Sequence, residues 1–144
     1  MRASRILAGA AATAFLLLAA AQPATAQRGR GFARYDVHTV QTLSGQITAV
    51  DSIPSPRGLG VGLHVQLKAA DKSYDVHLGP RTFLEGKSLT LAVGDAVSVT
   101  GSVVTFNDAP AMLAASITKG TVTVALRDST GIPLWAARRG PPRR

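Results

Sequence analysis

The stretch that decides the fold is Leu63-His64-Val65-Gln66-Leu67-Lys68-Ala69-Ala70-Asp71-Lys72-Ser73-Tyr74-Asp75-Val76-His77-Leu78. Apolar and polar residues alternate on both sides of a short polar break, which is the period of a half-buried strand and not of a helix. Leu63, Val65 and Leu67 share one face, with His64, Gln66 and Lys68 on the other. On the return, Tyr74, Val76 and Leu78 share a face, and Ser73, Asp75 and His77 take the opposite one. Placing Asp71-Lys72 at the tip sets Leu67 opposite Val76 and Lys68 opposite Asp75. That register matches apolar with apolar and pairs opposite charges.

Upstream, Leu43, Ile47 and Ala49 line one face of an earlier strand, and Ser44, Gln46 and Thr48 the other. The segment from Asp51 to Gly60 holds Pro54, Pro56, Gly58 and Gly60 and reads as a loop. Downstream, Gly79-Pro80 stops the third strand. Residues 81–91, with Phe83, Leu84, Leu89 and Leu91, suit a short helical connector. After a turn at Gly94-Asp95, Val97, Val99 and Val103 define a fourth strand in which Gly101 marks a bend or bulge. Phe106-Asn107-Asp108-Ala109 reads as a hairpin connection into a fifth strand lined by Ala111, Leu113, Ala115 and Ile117. Val122, Val124 and Leu126 form a further strand, and Asp128-Ser-Thr-Gly131 turns the chain back toward Trp135. The indole is expected to pack on the barrel end rather than to stack on a sugar. The expectation is an all-β domain: a five-stranded OB-like barrel with a short helical connector and an extra C-terminal β-hairpin. A small β-sandwich or another five- to six-stranded barrel is the alternative.

The ends of the chain differ from this body. Arg2 and Arg5 precede an uncharged run from Ile6 to Ala21, and Ala24 and Ala26 form a small-residue cleavage site behind Pro23. The run is shorter than the ~20 residues a membrane-spanning helix needs. Residues 1–26 are therefore expected to be a cleaved secretory signal, leaving no transmembrane anchor and a periplasmic or secreted domain. Residues 27–34 and 138–144 read as flexible tails around a barrel domain at 35–137. The formal net charge of +8 resides in these ends, because all 8 acidic residues lie in the body, where Arg57, Lys68, Lys72, Arg81, Lys87, Lys119 and Arg127 nearly balance them. Arg28, Arg30, Arg34, Arg138, Arg139, Arg143 and Arg144 are the candidates for contact with a polyanion.

Several functions are disfavoured. The chain has no cysteine, which excludes disulfides, thiol catalysis and cysteine-held zinc. Gly58-Leu-Gly-Val-Gly62 precedes an alternating strand rather than the helix a phosphate loop needs. Glu85 is the only glutamate, and no hydrolase or zinc-protease motif occurs, so the protein reads as a non-enzyme. Specific nucleic-acid binding would need aromatic platforms on the barrel face, and His64, Gln66, Lys68, Asp75 and His77 offer none apart from imidazole.

The histidines carry the sharper expectation. Tyr35-Asp36-Val37-His38 recurs as Tyr74-Asp75-Val76-His77. Asp and His two apart on a strand share one face, and the expected register makes His64 a diagonal neighbour of His77. His64, His77 and Asp75, with His38 as a third imidazole, form a candidate site for Zn²⁺ or Cu²⁺. The bland reading is a solvated polar strand face.

Three segments carry a resemblance: Val76-His-Leu-Gly-Pro80, Gly94-Asp-Ala-Val-Ser-Val-Thr-Gly101 and Leu126-Arg-Asp-Ser-Thr-Gly-Ile-Pro-Leu-Trp135. Over residues 43–137 the chain resembles small exported bacterial OB-fold proteins of uncharacterised function, often named DNA-binding on fold grounds. The resemblance implies the barrel and brings no site residues with it. The sequence thus points to an exported, monomeric, non-catalytic binding or accessory module of unknown ligand, with an envelope or protein partner favoured. Binding of nucleic acid or another polyanion through the basic tails or the barrel face, and histidine-based metal binding, are the alternatives.

Overall fold

The computed structural model describes residues 34–55 and 60–136; the leader, Arg28, Arg30, the Arg138–Arg144 tail and Gly58 lie outside the described residues. A 3-10 turn at Val37–Thr39 leads into β1 (Val40–Pro54), β2 (Val61–Ala69) and β3 (Lys72–Pro80). A short helix α1 (Arg81–Glu85) follows, then β4 (Ala96–Phe106), β5 (Ala109–Lys119) and β6 (Val122–Ala125). The strands run in the order β3-β2-β1-β4-β5-β6, and a parallel β3–β5 pairing closes the first five into a barrel. This is the connectivity of the OB-type barrel, with the helix between the third and fourth strands. No helix among the described residues is long and apolar enough to cross a membrane.

The alternating apolar residues fill the barrel. Ile47, Val65, Leu67, Val76, Leu78, Val99, Met112, Ile117 and Leu126 are wholly or almost wholly buried, and Phe83 and Leu84 of α1 join them. Each such side chain contributes roughly 1.5–3 kcal/mol relative to exposure. Two strand irregularities let so small a sheet curve shut. In β1 an extra residue, Thr48, sits between Ile47↔Leu67 and Ala49↔Gln66. In β5 the extra residue is Ala115, opposite the Thr100-Gly101 step. There β5 runs so close to β4 that a Cβ on Gly101 would lie 2.2 Å from the Leu113 carbonyl oxygen and 2.8 Å from the Ala114 Cα. The glycine anticipated as a bend is the point where the neighbouring backbone passes.

Three expectations are corrected. The β2–β3 tip is Ala70-Asp71, with Ala70 in the left-handed region at φ 54°, not Asp71-Lys72. Partners therefore shift by two: Leu67 faces Tyr74, Lys68 faces Ser73 and Asp75 faces Gln66. A two-residue shift keeps every side chain on its face, which is why apolar pairing alone did not distinguish the registers. A further irregularity at Leu63/His64 sets His64 directly opposite His77 rather than diagonal to it. Next, β1 continues through Asp51 to Pro54, paired with His64 to Val61, so the first part of the expected loop is strand. Third, Met112, Ala114 and Ile117 face the core of β5, because the bulge at Ala115 breaks the alternation. The C-terminal return is the expected hairpin, closed by the Arg127–Pro133 bridge and by backbone bonds from the Leu134 amide to the Leu126 carbonyl and from the Asp128 amide to the Ile132 carbonyl, at 3.0 Å each. It is held by the Asp128 carboxylate, which accepts from the Thr130 and Ile132 amides at 2.9 Å each.

Candidate metal centre

Strands β2 and β3 present His64, Asp75 and His77 on the outer face of the barrel. Asp75 and His77 share a side of β3 because they are two apart, and the cross-strand pairing brings His64 beside them. The imidazole rings lie 4.0 Å apart between centroids, tilted by 40°. The Asp75 carboxylate reaches both: Oδ1 is 3.1 Å from His64 Nδ1, and Oδ2 is 3.2 Å from His77 Nε2. A carboxylate only accepts, so without a metal each of these nitrogens presents a proton to it. Burial raises the Asp75 pKa, but hydrogen bonds and charge from the two histidines outweigh it and hold the carboxyl well below the usual range.

One nitrogen or oxygen from each residue falls within 4.8 Å of the others. A tetrahedral ion with bonds of about 2.0–2.1 Å sets its ligand atoms about 3.3 Å apart. The two Asp75–His separations already have nearly that length. The expected solvated face is not what the fold supplies: the side chains are 15% (His64), 28% (Asp75) and 19% (His77) exposed. Phe106, the last residue of β4, lies at one edge, its ring 5.6 Å from His77 in a T-shaped contact.

The cluster lies in the wall of a cleft of ≈ 520 Å³. Ile53 and Pro54 come from the end of β1, Phe106 from the end of β4, Leu113 from β5, and Arg127 and Pro133 from the C-terminal segment. Tyr35 enters from the N-terminal side and packs on Gly131, whose φ of +88° leaves no room for a side chain against that ring. Arg127 donates to the Ala114 carbonyl, and its guanidinium carbon sits 5.0 Å from the Trp135 ring centre. Among the described residues no carboxylate pairs with it, and burial lowers its pKa, opposed by Tyr35.

The remaining candidates fall elsewhere. His38 is exposed in the 3-10 turn, where its amide donates to the Asp36 carboxylate at 2.8 Å. The first Tyr-Asp-Val-His copy is thus a capped turn and not a strand, and His38 is not in the cluster. Gln66 is half-buried opposite Asp75, and Lys68 is exposed. Trp135 packs 5.5 Å from Phe83. Arg34 is exposed, and it alone of the seven terminal arginines lies among the described residues. Sequence reasoning missed Arg127, Tyr35 and Phe106 as cleft residues, since nothing local announces which strands they will meet.

The strand order and this cleft define an OB-type barrel with a two-histidine, one-carboxylate cluster on the face between the β1–β2 and β4–β5 connections, where such barrels take their ligands. The sequence model of the MamS/MamX magnetosome protein family matches residues 39–124, and the chain belongs to that family. No curated protein matches the chain. The resemblance to small exported OB-fold proteins therefore gives the barrel correctly, and the family is a magnetosome one. The matched span includes His64, Asp75 and His77; Arg127 and Trp135 lie beyond it.

Proposed function

We propose that this protein is a non-catalytic accessory module of its family that binds a divalent transition metal, Zn²⁺ or Cu²⁺, through His64, His77 and Asp75. The observation that carries the reading is the convergence of two adjacent imidazoles and both oxygens of one ionised carboxylate on a half-buried strand face. Imidazole and carboxylate are the ligands borderline ions prefer. Paired strands hold all three residues, so little ordering remains to be done on binding. Export through the expected leader would place the site outside the cytosol, in keeping with a chain that has no cysteine. The polyanion reading draws on the arginine-rich ends and not on this cleft.

The test is a calorimetric titration of the metal-free protein with Zn²⁺, repeated on the double variant His64→Ala/His77→Ala. One ion per chain in the parent and none at the same concentrations in the variant is the expected result. Unchanged stoichiometry in the variant overturns the proposal.

A further inference from the structure

We infer that the cleft beside the cluster takes a small organic carboxylate, one of whose oxygens completes the coordination of the bound metal while Arg127 pairs with the anion. The inference rests on the metal reading above and names the ligand that the same site would hold with the ion.

The argument begins with coordination. Three protein ligands from two adjacent strands approach an ion from one side, and catalytic-type and open sites are those that leave a position for an exogenous ligand. Here the open side faces a cleft of ≈ 520 Å³, within the range of small-molecule pockets. Charge comes next. Among the described residues Asp75 is the only acidic one that lines the cleft. A divalent ion, one carboxylate and two neutral imidazoles sum to one positive charge, and Arg127 adds a second. Without the ion, the carboxylate and guanidinium cancel. The cleft therefore becomes an anion receptor only when it is loaded with metal.

Arg127 is suited to that role. It is half-buried, has no carboxylate partner among the described residues, and is held in place by the Trp135 ring and the Ala114 carbonyl. Its planar fork matches a carboxylate. The rest of the lining chooses the class of anion. Ile53, Pro54, Phe106, Leu113 and Pro133 are apolar, so an anion with an apolar or aromatic body gains contact that inorganic phosphate does not. No covalent step is involved: the carboxylate oxygen replaces a water molecule on the ion.

The protein contains its own reporter, since Trp135 is the single tryptophan and lies against Arg127. Benzoate is titrated into the whole protein with and without saturating Zn²⁺, following Trp135 fluorescence, with inorganic phosphate as the comparison anion. Arg127→Gln is tested in parallel, and Arg127→Lys as the gentler variant should the first lose its Zn²⁺ stoichiometry. The expected result is benzoate binding at least about 10-fold tighter with Zn²⁺ than without, tighter than phosphate, and about 10-fold weaker in the Arg127 variant that still binds one Zn²⁺. Benzoate affinity that ignores either Zn²⁺ or Arg127 overturns the inference and leaves the metal site standing. Failure of Zn²⁺ itself to bind overturns both, and calorimetry with Zn²⁺ alone identifies that case.

Discussion

Two outward faces of one sheet have been given opposite chemistry. Across β1, β4, β5 and β6 the outward residues form rows of hydroxyls. Thr42, Thr100 and Ser116 are aligned across β1, β4 and β5, and Ser44, Ser98, Thr118 and Thr123 across all four strands. Neighbours hydrogen-bond along these rows, Thr42 to Thr100 at 2.8 Å and Thr118 to Thr123 at 2.9 Å. Those seven residues carry no charge; three are exposed and four half-buried. Across β2 and β3 the outward His64, Asp75 and His77 are ionisable, and Phe106 and the C-terminal segment share a cleft with them. Hydroxyls satisfy one another or water at little cost, whereas a half-buried carboxylate must find donors. Asp75 has found two imidazoles. The comparison shows that strand alternation makes a face polar, while the segments laid over it make a site.

The largest expected effect lies within the hydroxyl face, where β5 passes close to β4. Gly101→Val forces a branched side chain into the β5 backbone at the Ala115 bulge. It should destabilise the barrel by ~3 kcal/mol or more, read as a lowered urea midpoint. A midpoint within experimental error of the parent would mean that the close approach of β5 to β4 is not what shapes the barrel there.

Next in size is the loss of metal binding. His64→Ala alone should weaken Zn²⁺ by about 100-fold or more, because one of three protein ligands disappears. Thr42→Ala with Thr100→Ala, on the hydroxyl face, should leave the Zn²⁺ affinity unchanged. Equal losses from both would erase the distinction between the faces.

A smaller effect comes from Asp75 without metal. Its carboxyl titrates below the usual range in the folded barrel. An Asp whose folded pKa is depressed contributes stability that is present above the unfolded value of ~3.9 and is lost as pH falls through the folded value. Allowing for partial solvent screening, the contribution is about 1–2 kcal/mol. Asp75→Asn should therefore flatten the acid side of the stability profile below pH ~4, in thermal melts taken with a chelator present. A variant whose melts still fall as steeply over that range would show that Asp75 is not the group responsible.

The fold was legible because period-two alternation survives in β2 to β4, though the Thr48 bulge breaks it in β1 and puts Val50 rather than Ala49 against the core, and Gly79-Pro80, Gly94-Asp95 and Asn107-Asp108 mark the breaks. The site was half legible. His64, Asp75 and His77 could be placed on one face, since a two-residue register error leaves faces intact. Their true contact could not, because it depends on a tip at Ala70, a residue with no general preference for positive φ, and on an irregularity at Leu63/His64. Met112 could not be told from Leu113 as the core residue, since both are apolar and the Ala115 bulge decides. Arg127 was illegible as a cleft residue for a different reason. Its neighbours Tyr35, Phe106 and His64 are far away in sequence, and only closure of the barrel brings them together.

The smallest expected effect tests the hydroxyl face itself. Thr42→Val with Thr100→Val keeps β-branching at both positions and removes the 2.8 Å hydroxyl pair. The lost bond is exposed, so water competes for it in the parent, and its net worth is below ~0.5 kcal/mol. The urea midpoint should barely move. If it falls by an amount nearer ~2 kcal/mol, the hydroxyl rows are a cooperative network that braces the barrel. The hydroxyl face would then be structural, and the contrast with the β2–β3 face would be between two kinds of support and not between a surface and a site.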